Sequence, residues 1–179
     1  MTNRDNDKYP HKVDLTKIAR DTMIEEGFDP DIPAAIETEL KHLNEEAVIE
    51  NAPTQDLRHL TWSSLDNSTS RDLDQIEYAE RQPDGNIRLL IGIADVDAFV
   101  DKDSATDEYA SQNTTSVYTG VKTFPMLPEE LSTDKTSLLE GQDRLALVIE
   151  MHLSENGDVT TRDVYRATVH NYSRCHTKW

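Results

Sequence analysis

Residues 76–96, IEYAERQPDGNIRLLIGIADV, contain the pattern that decides the fold. Polar and apolar residues alternate over residues 76–80, which is typical of a half-buried β-strand. Residues 82–86 combine proline, aspartate, glycine and asparagine, the residue types that form tight turns. The apolar run that follows, residues 87–96, predicts a buried return strand. The stretch therefore predicts a β-hairpin with one strand in the core.

A second hairpin is predicted downstream of the first. Two strand-like segments, 144–153 and 159–169, flank the turn residues Glu155-Asn156-Gly157-Asp158. Between the hairpins, residues 104–112 predict a short helix with Ser104 as its N-cap. Antiparallel pairing is expected for strands that are joined by tight turns.

The region before the first hairpin is predicted to be helical. Asp14 is placed to cap a helix that runs to about residue 26, and Gly27 is placed to end it. A second helix is expected from Pro33 onward. Two short helices also suggest a helix-turn-helix, but the acidity of the segment favours a helical lead-in packed on the domain. The predicted fold class is α+β: a helical lead-in, then a mostly antiparallel β-sheet with short helices.

Composition bounds the classes of function. The chain has 18 Lys and Arg against 35 Asp and Glu, a formal net charge of -17, whereas phosphate binding depends largely on Lys and Arg. Taken alone, this charge argues against nucleic-acid binding, unless a divalent cation neutralises the site and basic residues elsewhere guide the strand. No run is long enough to span a membrane, and the N-terminus lacks the apolar segment of a secretory signal. Together with the single cysteine, Cys175, this predicts a cytoplasmic protein.

The acidic segment LDNSTSRDLDQ, residues 65–75, is the candidate site. On an extended backbone Asp72 and Asp74 point to one side while Leu73 points to the other. We expect both carboxylates to converge with Asp66 in one cleft. Such oxygen ligands suit Mg²⁺, with Mn²⁺ as an alternative, and a bound cation polarises a phosphodiester.

Other interpretations of the acidic segment remain open at this point. It fits a solvated acidic loop, or a pair of carboxylates for glycoside hydrolysis. Its spacing also matches the ligand positions of a calcium-binding EF-hand loop, although Arg71 stands where that loop needs glycine and the flanks are strand-like. Near the end of the chain, His170, Cys175 and His176 suggest zinc, but without the paired spacing of a zinc site.

Several blocks of sequence resemble the opening of the catalytic domain in the ribonuclease II/ribonuclease R (RNB domain) family, in order and spacing. The blocks are DLRHL (56–60), LDNSTSRDLDQ (65–75), IGIADV (91–96), TSVY (115–118), FPMLPEELS (124–132) and RLA (144–146). Matches in register along one chain are stronger evidence than a single short motif. The resemblance divides the chain into an acidic helical region (1–55), a partial catalytic domain (56–171) and a divergent polar tail (172–179).

The resemblance implies a magnesium-dependent 3′→5′ exoribonuclease that hydrolyses single-stranded RNA to nucleoside 5′-monophosphates. The family motif has four aspartates; Asp66, Asp72 and Asp74 stand at three of the positions and Gln75 at the fourth. These four residues are the implied metal ligands, and Asp74 is the implied catalytic carboxylate. Tyr118 stands where the family has a tyrosine that packs on the terminal nucleotide, although a tyrosine buried in the core is the alternative.

The family domain also continues beyond the blocks matched here, and its later segments hold the phosphate. The resemblance therefore implies an incomplete catalytic domain with weak or no activity. The alternative is a non-catalytic, RNA-associated binding module or relic of the family, which the loss of the fourth aspartate and the net charge favour.

Overall fold

A computed structural model of the chain describes residues 13–52, 54–67 and 70–176. It contains four α-helices and eight strands within those residues. The helices are α1 (Leu15–Glu25), α2 (Ala34–His42), α3 (Glu45–Asn51) and α4 (Ala105–Asn113). The strands are β1 (Gln55–Asp56), β2 (Trp62–Asp66), β3 (Gln75–Arg81), β4 (Ile87–Ala94), β5 (Val117–Tyr118), β6 (Thr123–Phe124), β7 (Asp143–Leu153) and β8 (Val159–His176). None of the described helices is long and apolar enough to cross a membrane.

Five strands close into a β-barrel. Neighbours pair antiparallel in the order β2, β3, β4, β7 and β8, and both predicted hairpins are confirmed as β3–β4 and β7–β8. The last residues of β8 then run parallel to β2, with Ser63 opposite Ser173 and Leu65 opposite Cys175. The α+β class with a mostly antiparallel sheet is therefore confirmed. The parallel closure was not predicted, because pairing between distant segments leaves no local signal in the sequence.

Residues 172–176, expected to form part of a polar tail, belong to strand β8 in the structure. Strand β2 offers backbone donors and acceptors to them, so their polarity does not prevent strand formation. Of the three residues considered for zinc, His170 lies 2.6 Å from a carboxylate oxygen of Asp143 and Cys175 is exposed. Nothing among the described side chains groups these residues into a metal site.

Trp62 fills the barrel, where it is fully buried. Its indole N–H donates to the backbone oxygen of Leu57 at 2.9 Å, which satisfies its one polar group. Gly92 faces the indole across the barrel: a Cβ there would lie 3.2 Å from Ile76 and 3.5 Å from Trp62. A methyl group at this position would press on the side chain of Ile76, so the close packing of the barrel core favours glycine in β4. Its buried members are Leu57, Trp62, Leu73, Ile76, Leu90, Leu138, Ala146, Val148, Ala167 and Val169.

The helical lead-in packs on the barrel domain, as predicted. Asp14 caps α1 by accepting from the amide of Lys17, and Gly27 follows the helix with φ +87°. Glu39 on α2 accepts hydrogen bonds from the first amides of α4. Helix α3 was not predicted; it begins after Asn44, whose side chain accepts from the amide of Ala47.

Candidate active site

The acidic segment has the alternation that its sequence predicts. Leu73 is 1% exposed and belongs to the barrel core, while Asp72 and Asp74 on either side of it are exposed. The segment runs from the last residues of β2 to the first residue of β3. The strands on both sides, and a core leucine in the middle, do not match a helix–loop–helix calcium site.

Backbone hydrogen bonds fix the segment in place. The amide of Leu73 donates to the hydroxyl of Ser137 at 2.9 Å, and the Leu73 carbonyl accepts from the amide of Leu138 at 2.7 Å. The carbonyl of Asp74 accepts from the amide of Ala94 at 2.9 Å. The main chain is therefore held while the two carboxylates extend away from it.

Asp66 stands at the end of β2 with a half-buried side chain. Its Oδ2 atom is buried and has no hydrogen-bond partner among the described residues. The adjacent turn is held from β8, where Arg174 donates to the carbonyls of Asn67 at 2.9 Å and Ser70 at 2.5 Å. A buried carboxylate oxygen without a donor is costly unless a cation or a donor meets it, so Asp66 fits a metal ligand.

The three aspartates are not assembled into a metal site. In the part of the chain that the structure describes, no three His, Cys, Asp or Glu side chains are grouped closely enough to hold a metal ion. The expected convergence of Asp66 with Asp72 and Asp74 is therefore not observed. Like charges repel when no cation lies between them. The assignment of these residues as metal ligands remains a prediction.

Gln75 begins β3 and is exposed. Its side-chain amide donates to Oε1 of Glu77 at 2.7 Å, so its nitrogen is turned toward that carboxylate. The remaining amide oxygen is the atom suited to a metal. This contact was not predicted, although residues 75 and 77 lie on the same side of an extended strand.

Tyr118 is 72% exposed on the short strand β5, which excludes the alternative of a tyrosine buried in the core. It lines a cavity of about 360 Å³ together with Asp72. The other lining residues are Ile32, Ser116, Thr123, Pro125, Glu129, Ser132 and Thr133. The structure thus brings together two of the residues that the resemblance singled out, Asp72 and Tyr118. Asp66, Asp74 and Gln75 do not line this cavity.

A second polar cluster lies at the base of the β7–β8 hairpin. Asp143 accepts from Arg58 at 2.9 Å and pairs with His170 at 2.6 Å. The hydrogen bond with His170 and then that from Arg58 hold the pKa of Asp143 below its usual range. Arg58 likewise lowers the pKa of Asp56, to which it donates. Both carboxylates are engaged by the guanidinium of Arg58, whereas Asp72 and Asp74 form no such ion pair with a described residue.

Comparisons with known proteins confirm the resemblance. Residues 54–178 match the family model described as the RNB domain. Ribonuclease R of Vibrio parahaemolyticus is 38% identical over 143 residues, which are 79% of this chain and 17% of that protein. Ribonuclease R of Escherichia coli is 37% identical over 143 residues, 79% of this chain and 18% of that protein. The chain thus spans a small part of the length of these relatives.

Solved structures are similar to this chain as well. Mycoplasma genitalium RNase R in complex with double-stranded RNA superposes with a TM-score of 0.79 and 31% identity, over 90% of this chain and 29% of that one. Yeast Ssd1, a pseudonuclease, shares the fold with a TM-score of 0.60 at 17% identity, over 74% of this chain and 16% of that one. Because the family model matches most of its residues, this chain belongs to the RNB domain family.

Proposed function

We propose that this chain carries the metal-binding front part of a 3′→5′ exoribonuclease acting on single-stranded RNA. The observation that carries the proposal is the cavity shared by Asp72 and the exposed ring of Tyr118. It places a carboxylate beside an aromatic surface, which are the groups needed to hold a metal-bound phosphate and a base. Membership of the RNB domain family supports the same activity.

In this proposal Asp66, Asp72 and Asp74 hold Mg²⁺ or Mn²⁺, and the amide oxygen of Gln75 contributes without charge. A divalent cation bound there supplies electrostatic stabilisation of the phosphodiester and activation of water. Asp74 is taken as the most sensitive carboxylate because the family resemblance implies it; its side chain is exposed and its backbone carbonyl accepts from the amide of Ala94. The products are nucleoside 5′-monophosphates.

Tyr118 provides a stacking surface for a base near the RNA end. Stacking on an aromatic ring tolerates any base, which suits degradation without sequence preference. The cation would supply much of the phosphate binding, because four arginines are already committed to carboxylates. Arg58, Arg88, Arg144 and Arg166 all form ion pairs within the protein.

Metal titration tests the site assignment. Mn²⁺ is added to the purified 179-residue chain, and the free ion is followed by electron paramagnetic resonance. We expect saturable binding that weakens at least about tenfold in Asp74→Asn and Asp72→Asn, because each loses a charged ligand. Asp101→Asn, which removes an exposed aspartate elsewhere, is the matched control. Equal binding by all four proteins would refute the metal site.

The activity test uses uniformly labelled single-stranded RNA with the same proteins and Mg²⁺. We expect slow or undetectable release of nucleoside monophosphates, because the family's phosphate-holding segments are not among the residues matched. Any activity detected should disappear in Asp74→Asn. Rapid, processive degradation by the 179-residue chain would contradict the proposal that the metal-binding part needs the family's phosphate-holding segments for full activity.

The second candidate is a non-catalytic RNA-binding module of the same family. The contact that ties Gln75 to Glu77 and the lack of a preassembled three-carboxylate group among the described residues favour it. The two candidates differ in what RNA binding requires. Binding that persists with a metal chelator but weakens in Tyr118→Ala would favour the module, whereas binding that needs both metal and Asp74 favours the enzyme.

A further inference from the structure

Leu73, the core residue between Asp72 and Asp74, is held on both of its backbone polar groups by residues 137 and 138. We propose that Ser137 is a positioning residue that sets the placement of the two carboxylates. The metal-binding part of this inference rests on the proposed function, while its structural part stands independently.

The contact is built from buried groups. Ser137 is 1% exposed, and its hydroxyl accepts from the Leu73 amide at 2.9 Å. The same hydroxyl lies 3.5 Å from the carbonyl of Arg71, to which it donates a long hydrogen bond. With the bond from Leu138 to the Leu73 carbonyl at 2.7 Å, residue 73 is bonded from both sides. Residues 71–73 therefore depend on one hydroxyl for two of their backbone contacts.

The backbone of the turn that carries Ser137 is fixed by Arg144. This residue is 8% exposed, and its Nε donates to the Ser137 carbonyl at 3.1 Å. Its terminal nitrogens donate to the carbonyls of Asp134 at 3.2 Å and Asp143 at 3.1 Å. A planar guanidinium that binds several carbonyls fixes their relative positions. The guanidinium of Arg144, a residue of β7, thus holds the turn that carries the Ser137 hydroxyl.

Removal of the hydroxyl leaves the Leu73 amide buried without an acceptor. A buried amide without a partner is costly, so the segment must open or shift to hydrate it. The carboxylates of Asp72 and Asp74 move with the backbone on either side. Ligand geometry tolerates only small displacements, so a shift that is small for the fold is large for a cation site.

Thr136 provides the matched control. It is 3% exposed, lies in the same turn, and its hydroxyl donates to the carbonyl of Leu131 at 3.0 Å. Thr136→Val therefore removes a buried hydroxyl hydrogen bond from the same turn without touching Leu73. If Ser137 acted only through general stability, the two substitutions would have the same effect on the acidic segment.

The experiment measures amide hydrogen exchange by NMR and Mn²⁺ affinity in the full chain. In the wild type, the Leu73 amide should exchange as slowly as those of neighbouring barrel strands, although it lies outside a strand. In Ser137→Ala we expect Leu73 to exchange about tenfold faster than in Thr136→Val, and Mn²⁺ to bind about tenfold more weakly. Thr136→Val should leave Mn²⁺ affinity unchanged.

The outcomes separate this inference from the proposed function. A rapidly exchanging Leu73 amide in the wild type would overturn the inference without any variant, even if Ser137→Ala failed to fold. Equal effects of the two variants on Leu73 exchange would overturn it as well. If the wild type bound no Mn²⁺, the proposed function would fail, and the exchange comparison would still decide the structural role of Ser137.

Discussion

Carboxylates in two regions of the barrel have opposite surroundings. In the barrel network, Arg88 on β4 lies 3.2 Å from Glu80 on β3 and 3.0 Å from Glu150 on β7. Tyr165 on β8 donates to Glu150 at 2.9 Å. In the acidic segment, neither Asp72 nor Asp74 forms an ion pair or side-chain hydrogen bond with another described residue. The carboxylates of the barrel network are therefore bound by other side chains. In the acidic segment only the backbone is bound, and the carboxylates of Asp72 and Asp74 are left without a partner among the described residues.

The pKa shifts follow this division. Hydrogen bonds from Arg88 lower the pKa of both Glu80 and Glu150. Burial, and then the hydrogen bond to Glu150, raise the pKa of Tyr165 to about 12. A carboxylate committed in this way is a poor ligand, because binding a cation would break its existing contacts. A fixed backbone with uncommitted side chains is the arrangement that leaves charge available to a ligand.

Arg88→Ala should have the largest effect on the barrel network, because Arg88 contacts both of its carboxylates, Glu80 and Glu150. Arg88 and Glu150 are largely buried, with 25% and 16% of their side chains exposed. Removing the arginine leaves two carboxylates near each other without their cation, and we expect a loss of about 2–3 kcal/mol in the free energy of unfolding. Urea denaturation measures it.

Arg81→Ala in the same hairpin is the control for Arg88→Ala. Arg81 is exposed, and among the described residues its side chain donates only to the carbonyl of Gly85, at 3.2 Å. Its loss should therefore change stability by less than about 0.5 kcal/mol. Equal losses in the two variants would show that the network adds nothing beyond surface contacts.

The pH dependence of stability provides a second test of the difference between the paired carboxylates and the acidic segment. The folded-state pKa values of Glu80, Glu150 and Asp143 lie below their ordinary values. Their stabilising contribution is therefore complete above the unfolded-state pKa, near about 4, and is lost as pH falls through the folded-state values. We expect the melting temperature to fall steeply below that pH, and less steeply in Arg88→Ala. Identical pH profiles would contradict the assignment.

The elements that the sequence predicted are those whose signals are local. The turn at Gly85, the caps at Asp14 and Ser104, and the alternation about Leu73 each depend on neighbouring residues. The contacts that define the site join distant positions: Ser137 reaches Leu73 across 64 residues. No short pattern encodes such a pair.

The family resemblance singled out candidate site residues, and their assignment as ligands stays a prediction. It singled out Asp72 and Tyr118, which line one cavity. The alternation about Leu73 predicted that Asp72 and Asp74 would converge with Asp66, whereas these three are not grouped in the described structure. The polar composition of residues 172–176 hid their role as a strand, because the partner strand lies more than a hundred residues earlier.

Gln75→Asp adds a negative charge to the acidic segment and tests whether position 75 contributes to metal binding. The aspartate would lack the amide that donates to Glu77, and it would present a fourth carboxylate to the cation. We expect Mn²⁺ affinity to rise about tenfold, since affinity in oxygen-ligand sites increases with ligand charge. Glu77→Gln, which removes the neighbouring charge, serves as the reference. Unchanged affinity in Gln75→Asp would place position 75 outside the metal site.

The smallest effect on stability is expected from Asp72→Asn. Asp72 is exposed, and its charge is one of many in a chain with a net charge of -17. Its neutralisation removes repulsion and breaks no described ion pair, so the free energy of unfolding should change by less than about 0.5 kcal/mol, toward greater stability. Glu150→Gln, which disturbs the contacts with Arg88 and Tyr165, should be destabilising under the same conditions. Urea denaturation of both variants without metal makes the comparison. A loss in Asp72→Asn as large as that in Glu150→Gln would mean that Asp72 is a structural carboxylate, and the distinction between the two regions would fail.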